Sequence, residues 1–331
     1  MSPLFTIHID VFYKLHFFRE AIKAIQDQTY QNLEIIISNN GADQEITDFI
    51  FETQKTDKRV KVLTYENNIF SFEDPHEFAY VLNNNALNIA EGEYIFYQSY
   101  DDLLALDYIE RMVKLFEGNP ECLTAAGLVA SIDEKGIIAK EEITKRSGNF
   151  RSRYMPGHEM VLDVLRGGKM FQAPGSIFSF KKEALVKYGG YHRSFELGQL
   201  YGIVPFGVTG FDEEAFFYWR RHEGQLGKLL FQRGWMCVKE SSSMLNDLNV
   251  KERWRSAFGK DITRYAYSRM ISSIYEPAAR CTVANIFTFN FKGAVRSFSD
   301  SFQSFSYWKA LPRAIWVKRW LLRRFWNDLF R

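Results

Sequence analysis

Cysteine is scarce in this chain, and long apolar runs are missing. The three cysteines, Cys122, Cys237 and Cys281, lie far apart and form no CxxC pair. This spacing argues against a disulfide framework and a zinc site, and it favours a reducing compartment. No stretch approaches the roughly 20 apolar residues that cross a bilayer. Residues 1–10 also lack the basic region and apolar core of a signal peptide, so we expect neither a membrane-spanning helix nor a secretion signal.

A strong charge of either sign is absent as well. The formal net charge of the 331 residues is +2, so the chain as a whole is not suited to binding a polyanion. Apolar residues are plentiful, because 46% of the chain is hydrophobic and 16% is aromatic. This composition excludes global disorder and supplies a sizeable core for one large domain or two.

Short apolar runs alternate with segments of helical periodicity. Strands are predicted at residues 4–12, 33–37, 60–65, 93–98, 123–131 and 176–180, and helices at 17–28, 46–51, 78–90, 105–116 and 181–188. Residues 38–41, Ser-Asn-Asn-Gly, have the chemistry of a turn. The alternation predicts βαβ units and an α/β fold with a parallel sheet.

Three later segments have different patterns. Residues 140–168 are irregular and basic, which predicts a long functional or mobile loop. Residues 211–221 are predicted to form a helix that opens with the acids Asp212, Glu213 and Glu214. Beyond about residue 250, long helical stretches rich in Arg, Phe and Trp replace the earlier pattern.

Two adjacent acids follow the predicted strand at 93–98. A buried strand that ends in Asp101 and Asp102 places two carboxylates at the carboxyl edge of the sheet, where open α/β sheets bind ligands. Two such charges repel each other unless a cation lies between them and a phosphate. This pattern favours a divalent metal that carries a nucleotide diphosphate. The alternative is that Asp102 caps the predicted helix at 105–116, and the spacing alone leaves both open.

Several segments, taken in order, resemble one enzyme family. They are residues 19–37 (REAIKAIQDQTYQNLEIII), 86–95 (ALNIAEGEYI) with Asp101–Asp102 after them, 108–113 (YIERMV), 182–191 (KEAL…GGY) and the acids at 212–214. Over residues 3–244 the chain resembles the GT-A glycosyltransferases of family 2, which use nucleotide-sugar donors with inversion. The resemblance implies a Rossmann-like, mostly parallel sheet flanked by helices. It also implies a GT-A domain at 1–248, with a nucleotide-sugar half at about 1–130 and an acceptor half at about 131–248. A helical C-terminal extension at 249–331 follows.

The resemblance also implies roles for the acids. Asp102 corresponds to the direct ligand of Mg²⁺ or Mn²⁺, and Asp101 to a group that contacts the ribose or supports the metal. The family's catalytic base is the second acid of a pair, about six residues before a helical arginine. Counting back from Arg220 gives Glu214, with Glu213 and Asp212 as competitors. The alternative is that acids in a first helical turn only favour the helix dipole.

The nucleotide-binding end departs from the family pattern. Residues 10–13, Asp-Val-Phe-Tyr, replace the usual Pro-Thr-Tyr-Asn, although Phe12 can still stack on a base. Asn39 falls where the family has an acid, with Asn40 beside it. Their amides can pair with uracil, which favours a UDP-sugar, but they also tolerate other bases or simply form a turn. Lys239 stands near the position where family members often carry a histidine. It can either contact a phosphate as a point charge or remain a solvated surface lysine.

The C-terminal residues 312–331 combine an apolar face with arginines and flanking tryptophans. This composition favours an interfacial helix on an anionic membrane surface, with docking on the chain's own domain or on another subunit as the alternative. Nucleic acid is not expected as a partner of such a chain.

The function implied by the resemblance is inverting, metal-dependent transfer of a sugar to a hydroxyl of a glycan or lipid-linked glycan. Its implied setting is bacterial surface polysaccharide synthesis, in the cytoplasm at the inner face of the cytoplasmic membrane. A nucleotidyltransferase is the first alternative, but residues 10–13 are not a glycine-rich phosphate loop. The second alternative is a catalytically inactive scaffold, because Ser99 and Asn39 stand where the family commonly has acids. The retained acids at 101–102 and 212–214 argue against it.

Overall fold

The computed structural model describes residues 2–143, 153–166, 178–226, 228–229, 238–287, 290–299, 301 and 304–315. The chain packs as two compact units, residues 1–221 and 222–331. The functional boundary after residue 248 and the division into donor and acceptor halves stay predictions, because they were drawn from motifs rather than from packing.

The first unit begins with the predicted alternation of strands and helices. Strands β1, β2, β3 and β4 pair in parallel, in the order β3-β2-β1-β4. Every residue of β1 and β2 is buried, as expected for strands that helices cover on both faces. The elements are β1 Phe5–Val11, α1 Leu15–Gln26, β2 Leu33–Asn40, α2 Gln44–Thr56, β3 Val60–Tyr65, α3 Glu77–Ile89 and β4 Tyr94–Ser99.

The rest of the first unit extends the same sheet. Strand β9 pairs antiparallel with both β4 and β6, and β10 runs parallel to β6, so the sheet continues in the order β4-β9-β6-β10-β5. These findings confirm the α/β sheet flanked by helices. The elements are β5 Leu103–Leu104, α4 Tyr108–Gly118, β6 Cys122–Ile132, β7 Ile138–Ile143, β8 Tyr154–Pro156, α5 Gly157–Leu165, β9 Phe178–Lys181, α6 Lys182–Lys187, α7 Phe195–Gly202, a 3₁₀ turn Val204–Phe206 and β10 Val208–Arg220.

The predicted helix at 211–221 is wrong. This segment is the strand β10, and its side chains Phe211, Ala215 and Phe217 are buried. The acids resemble a first helical turn, but the aromatic run after them suits a pleated surface and pairs with β6 on one side and β5 on the other. Tertiary pairing therefore outweighs the local helix signal.

Two predicted irregular segments are also more regular than expected. Strand β2 continues through Asn40, and the left-handed turn residue is Gly41 (φ 65°). The described parts of 140–168 contain the end of β7, then β8 and helix α5. Their pairing with β6 and β10 explains the order that local periodicity did not reveal.

The second unit is helical, as predicted. Helices α8 Val238–Asp247, α9 Val250–Phe258, α10 Lys260–Phe287, α11 Phe291–Ser299 and α12 (305–315) follow one another. Among the helices of the described ranges, none is both long and apolar enough to cross a membrane. Of the predicted interfacial helix at 312–331, the part 316–331 lies outside the described residues.

Candidate functional site

Three buried aspartates lie where β1 and β4 end. Asp10 pairs in register with Ser99 across these neighbouring parallel strands, and Asp101 and Asp102 follow at once. All three carboxylates are buried. The structure thus brings the predicted acid pair to the carboxyl edge of the sheet, together with Asp10, which had not been predicted as a site residue.

Arg220, the last residue of β10, fixes the loop that carries the acid pair. Its backbone N–H donates to Asp102 Oδ1 (2.9 Å), and its Nε donates to the carbonyl oxygen of Asp101 (2.8 Å). Its Nη2 reaches Glu20 Oε2 (2.5 Å), and the guanidinium lies 4.5 Å from the ring centre of Phe17. The side chain is fully buried. Arg220 was not predicted as a site residue. Its partners Asp101, Asp102 and Glu20 lie more than about 100 residues away in the sequence, so no local pattern predicts these contacts.

The capping alternative for Asp102 is wrong. Helix α4 begins at Tyr108, and the residue at its N-cap position is Asp107, whose side chain makes no capping hydrogen bond. The short strand β5 separates Asp102 from that helix. The Asp102 carboxylate is therefore available to the sheet edge rather than engaged by a helix terminus.

Burial at this edge of the sheet disfavours the ionised form of the aspartates. Burial raises the pKa of Asp102 well above its ordinary value, and the neighbouring charge of Asp101 raises it further. Burial also raises the pKa of Asp10 to about 6, although the hydroxyl of Tyr97 donates to its carboxylate (2.6 Å) and lowers it. Ser99 donates to Asp101 Oδ1 (2.6 Å). A bound cation would offset the repulsion between these neighbouring carboxylates.

The two carboxylates of the acid pair fit a hard divalent cation as part of its ligand shell. Within the ranges that the structure describes, no group of three or more His, Cys, Asp and Glu side chains is arranged to hold a metal. Asp101 and Asp102 can supply two oxygen ligands. Mg²⁺ and similar ions are commonly held by one or two carboxylates, with phosphate and water completing the shell.

An aromatic cluster adjoins the aspartates. The ring centres of Phe12 and Tyr13 lie 4.4 Å apart, and those of Tyr13 and Tyr100 lie 5.2 Å apart. Phe12 is partly exposed, so a face for stacking on a base is accessible, and its predicted role stays a prediction. Tyr13 and Tyr100 had not been predicted as part of the site.

The amides of Asn39 and Asn40 already have partners within the chain. Asn39 donates to Thr47 Oγ1 and accepts from the backbone N–H of Ala42, each at 3.0 Å. Asn40 donates to Asn68 Oδ1 (3.0 Å) and accepts from a backbone N–H of the loop after β3. Both side chains are buried. The structure therefore supports the alternative in which these asparagines stabilise the local chain conformation. A contact between their amides and uracil stays a prediction.

The predicted base and the aspartates do not lie together. Asp212 pairs with Gly127 of β6, whereas Arg220 beside Asp102 pairs with Ile132. At 3.2–3.4 Å per residue, Gly127 and Ile132 are about 16 Å apart. A general base must reach its proton within hydrogen-bond distance. The assignment of Asp212, Glu213 or Glu214 as the base stays a prediction, and it requires an acceptor hydroxyl that lies well away from the acid pair.

Glu213 and Glu214 lie in an irregularity of β10. The register shifts between Asp212, opposite Gly127, and Phe216, opposite Leu128, so the residues between them form a bulge. Glu214 is 77% exposed, and its carboxylate pairs with Arg111 Nη1 at 2.8 Å. The acids and Arg111 line a surface cleft of about 500 Å³. Lys239 belongs to α8 in the second unit, and its side chain lies outside the described residues.

Comparisons with known proteins agree with this architecture. The family model described as Glycosyl transferase family 2 matches residues 6–189. An uncharacterized glycosyltransferase of Haemophilus influenzae is 28% identical over 145 residues, which are 42% of this chain and 41% of that protein. The chain spans about two fifths of the length of the first curated relatives it matches.

Solved structures share the fold at low sequence identity. The mannosyltransferase PcManGT from Pyrobaculum calidifontis, in complex with GDP-Man and Mn²⁺, has a TM-score of 0.53 and 15% identity, over 96% of this chain and 87% of that one. Staphylococcus aureus TarS 1-349, in complex with UDP-GlcNAc, has a TM-score of 0.55 and 10% identity, over 93% of this chain and 90% of that one. At this identity the likeness concerns the fold alone.

Proposed function

Because the chain belongs to glycosyl transferase family 2 and is therefore a glycosyltransferase, we propose that it holds the diphosphate of a nucleotide-sugar donor at Asp101 and Asp102. The observation that carries this proposal is the buried acid pair at the sheet edge, fixed by Arg220. Transfer then moves the sugar to an acceptor hydroxyl.

A divalent cation, Mg²⁺ or Mn²⁺, is the proposed cofactor. When bound, it offsets the charge that develops on the diphosphate as the glycosidic bond breaks. Asp102 and Asp101 are the residues that would hold it, and Arg220 keeps their loop in place. The support is the crowding of buried carboxylates, together with the Mn²⁺ in the complex of the similar mannosyltransferase.

The nucleotide of the donor is proposed to stack near Phe12. The complexes of similar fold contain GDP-Man or UDP-GlcNAc, so both UDP-sugars and GDP-sugars are candidates for this chain. We favour a UDP-sugar, because asparagine amides stand at the end of β2 where the base is expected. Binding of uracil by Asn39 requires that its present hydrogen bonds to Thr47 and Ala42 be exchanged.

The remaining features of the proposal rest on the family resemblance. They are inversion at the anomeric carbon, a glycan or lipid-linked glycan as acceptor, and a role in bacterial surface polysaccharide synthesis at the inner face of the cytoplasmic membrane. The basic and aromatic composition of residues 312–331 supports attachment to an anionic membrane.

The test is calorimetric titration of the full-length protein with UDP and GDP, with Mn²⁺ or with EDTA. We expect metal-dependent binding that Asp102→Asn abolishes. Asp107→Asn is the matched control, because Asp107 lies nearby in sequence, is partly exposed and pairs with Arg111. Products from a panel of nucleotide sugars are then followed by mass spectrometry.

Three outcomes contradict the proposal. If the nucleotide binds equally well in EDTA, binding does not depend on a metal. If Asp102→Asn binds the nucleotide as tightly as the wild type does, the diphosphate does not bind at Asp102. Transfer of the nucleoside monophosphate from the nucleotide sugar, with release of a sugar 1-phosphate, identifies a nucleotidyltransferase instead.

A further inference from the structure

Helix α11 has its apolar side chains on the outside. Its small residues Gly293, Ala294 and Ser297 are buried, and Ser297 Oγ lies 2.8 Å from Thr282 Oγ1 of α10. Its large apolar residues Phe291 and Val295 are 62% and 65% exposed. This arrangement is the reverse of a helix whose apolar stripe faces its own core.

Helix α12 continues the exposed apolar surface. Its Tyr307 and Ala314 are buried, whereas Phe305 is 82% exposed and Trp308 is 48% exposed. The rings of Phe298 and Trp308 are 6.0 Å apart, so the exposed sides of the two helices adjoin. We call this surface the apolar face, and it consists of Phe291, Val295, Phe298, Phe305, Trp308 and Ile315.

Basic residues accompany the apolar face. Lys292 and Arg296 lie on α11, and Lys309 and Arg313 lie on α12. The sequence of residues 290–315 contains a single acid, Asp300. A contiguous apolar patch with aromatic residues and a cationic border marks an interaction site rather than ordinary surface.

We propose that the apolar face inserts into the interfacial layer of an anionic lipid bilayer. Aromatic rings suit the headgroup level, and Lys and Arg suit anionic headgroups. A second copy of the chain is the less favourable occupant, because symmetric pairing brings the same four basic side chains towards each other. This proposal rests on the membrane attachment proposed above, and it assigns the contact to folded helices that begin upstream of residue 312.

The test uses the full-length protein and vesicles of phosphatidylcholine with and without phosphatidylglycerol. The variant is Phe291→Ser, Val295→Ser, Phe305→Ser. The matched control is Leu106→Ser, Ile137→Ser, Val186→Ser, which removes three exposed apolar side chains from the first unit. A third variant, Lys292→Glu with Arg296→Glu, tests the charge. Circular dichroism and UDP titration check that each variant is folded and that its nucleotide site is unchanged.

We expect the wild type and the control to float with anionic vesicles. The apolar-face variant should bind at least about tenfold more weakly, because each removed side chain takes away apolar area that transfers favourably from water. The charge variant should show a weaker preference for anionic over neutral vesicles, because two basic side chains of the face become acidic. UDP binding should stay unchanged in all of them, which separates this proposal from that of the nucleotide site.

Three results overturn the proposal. The first is flotation of the apolar-face variant equal to that of the control. The second is a wild-type dimer in solution that the same three substitutions dissociate, because a second copy then covers the face. The third is that truncation after Ile315 alone abolishes flotation while the substitutions leave the full-length protein bound.

Discussion

Burial opposes the ionisation of Asp10 and raises its pKa, and its two charged or polar neighbours act in opposite directions. Tyr97 donates a hydrogen bond to its carboxylate, while the charge of Asp101 repels it. The residue was predicted only as part of a strand and as a departure from a family motif. Its burial depends on β4 and the loop after it, which lie about 90 residues away in the sequence, so no local pattern could reveal it.

The first prediction concerns Asp10→Asn. The pKa of Asp10 is raised from 3.8 to about 6 in the folded protein, so the folded state binds the proton more tightly than the unfolded state. The wild-type free energy of unfolding therefore falls as pH rises from about 4 to about 6, by up to about 3 kcal/mol from this group. We expect the variant to be the more stable protein above pH 6 and equal to the wild type below pH 3.8.

Urea denaturation at several pH values, in EDTA, measures this difference. EDTA is needed because a bound cation stabilises the ionised acids of the wild type. A variant that is less stable than the wild type at pH 8 contradicts the prediction and shows that hydrogen bonding to the ionised form outweighs burial.

The second prediction concerns Arg220→Met. The backbone N–H of residue 220 can still reach Asp102, but the links of the guanidinium to Asp101 and Glu20 are lost. We expect a loss of about 2–3 kcal/mol in unfolding free energy, because a buried carbonyl loses its charged donor. We also expect weaker metal-dependent UDP binding in the protein that remains folded.

The matched control is Arg221→Met, the exposed neighbour of Arg220. Its change in unfolding free energy should stay within about 0.5 kcal/mol. If folded Arg220→Met binds Mn²⁺ and UDP as the wild type does, Arg220 serves stability alone.

Among the elements, the strands of the first βαβ units were the most predictable. Strands β1 and β3 and helix α1 lie close to their predicted bounds, because burial on both faces of a strand and on one face of a helix leaves a strong local pattern. Strand β10 was not predictable in this way. Its acids carry a helix signal, and its conformation is decided by pairing with β6, which lies almost 90 residues earlier.

The bulge in β10 shows the same dependence on distant residues. Gly127 of β6 lies against the backbone carbonyl of Ala215, and a Cβ at position 127 would collide with it. The bulge in β10 therefore requires a glycine at position 127 of β6. This bulge carries Glu213 and Glu214, so the acids that sequence reasoning assigned to catalysis are positioned by strand pairing.

The third prediction concerns Glu214→Gln. Glu214 is largely exposed, pairs with Arg111 and lies far along β10 from Asp102, so we expect turnover within about twofold of the wild type. Donor hydrolysis or transfer at saturating substrate measures it, with Asp102→Asn as the inactive reference. A loss of about 10²-fold or more with unchanged UDP binding would falsify this geometric argument and restore Glu214 as the base.

At the scale of the whole molecule, the fourth prediction concerns the C-terminal residues. Truncation after Ile315 removes most of the predicted interfacial segment and leaves the described helices in the chain. We expect weaker flotation with anionic vesicles, by about 1 kcal/mol for each Lys or Arg removed from the membrane surface. UDP binding and transfer to a short soluble acceptor should be retained, whereas transfer to a lipid-linked acceptor should fall.

The same truncated protein also tests the alternative. Full-length and truncated protein are compared by thermal unfolding and by gel filtration at equal concentration. Unfolded or aggregated truncated protein assigns residues 316–331 to the core or to a subunit interface. Full flotation of the truncated protein assigns the membrane contact to other residues.

The place of β9 in the sheet has a consequence for the newly made chain. The ribosome completes β6 before it makes β9, the strand that joins β6 to β4. Until residue 181 has emerged, both β4 and β6 present an unpaired edge, and such edges pair readily with strands of other chains. We therefore expect the nascent chain to expose open sheet edges throughout the synthesis of this middle stretch.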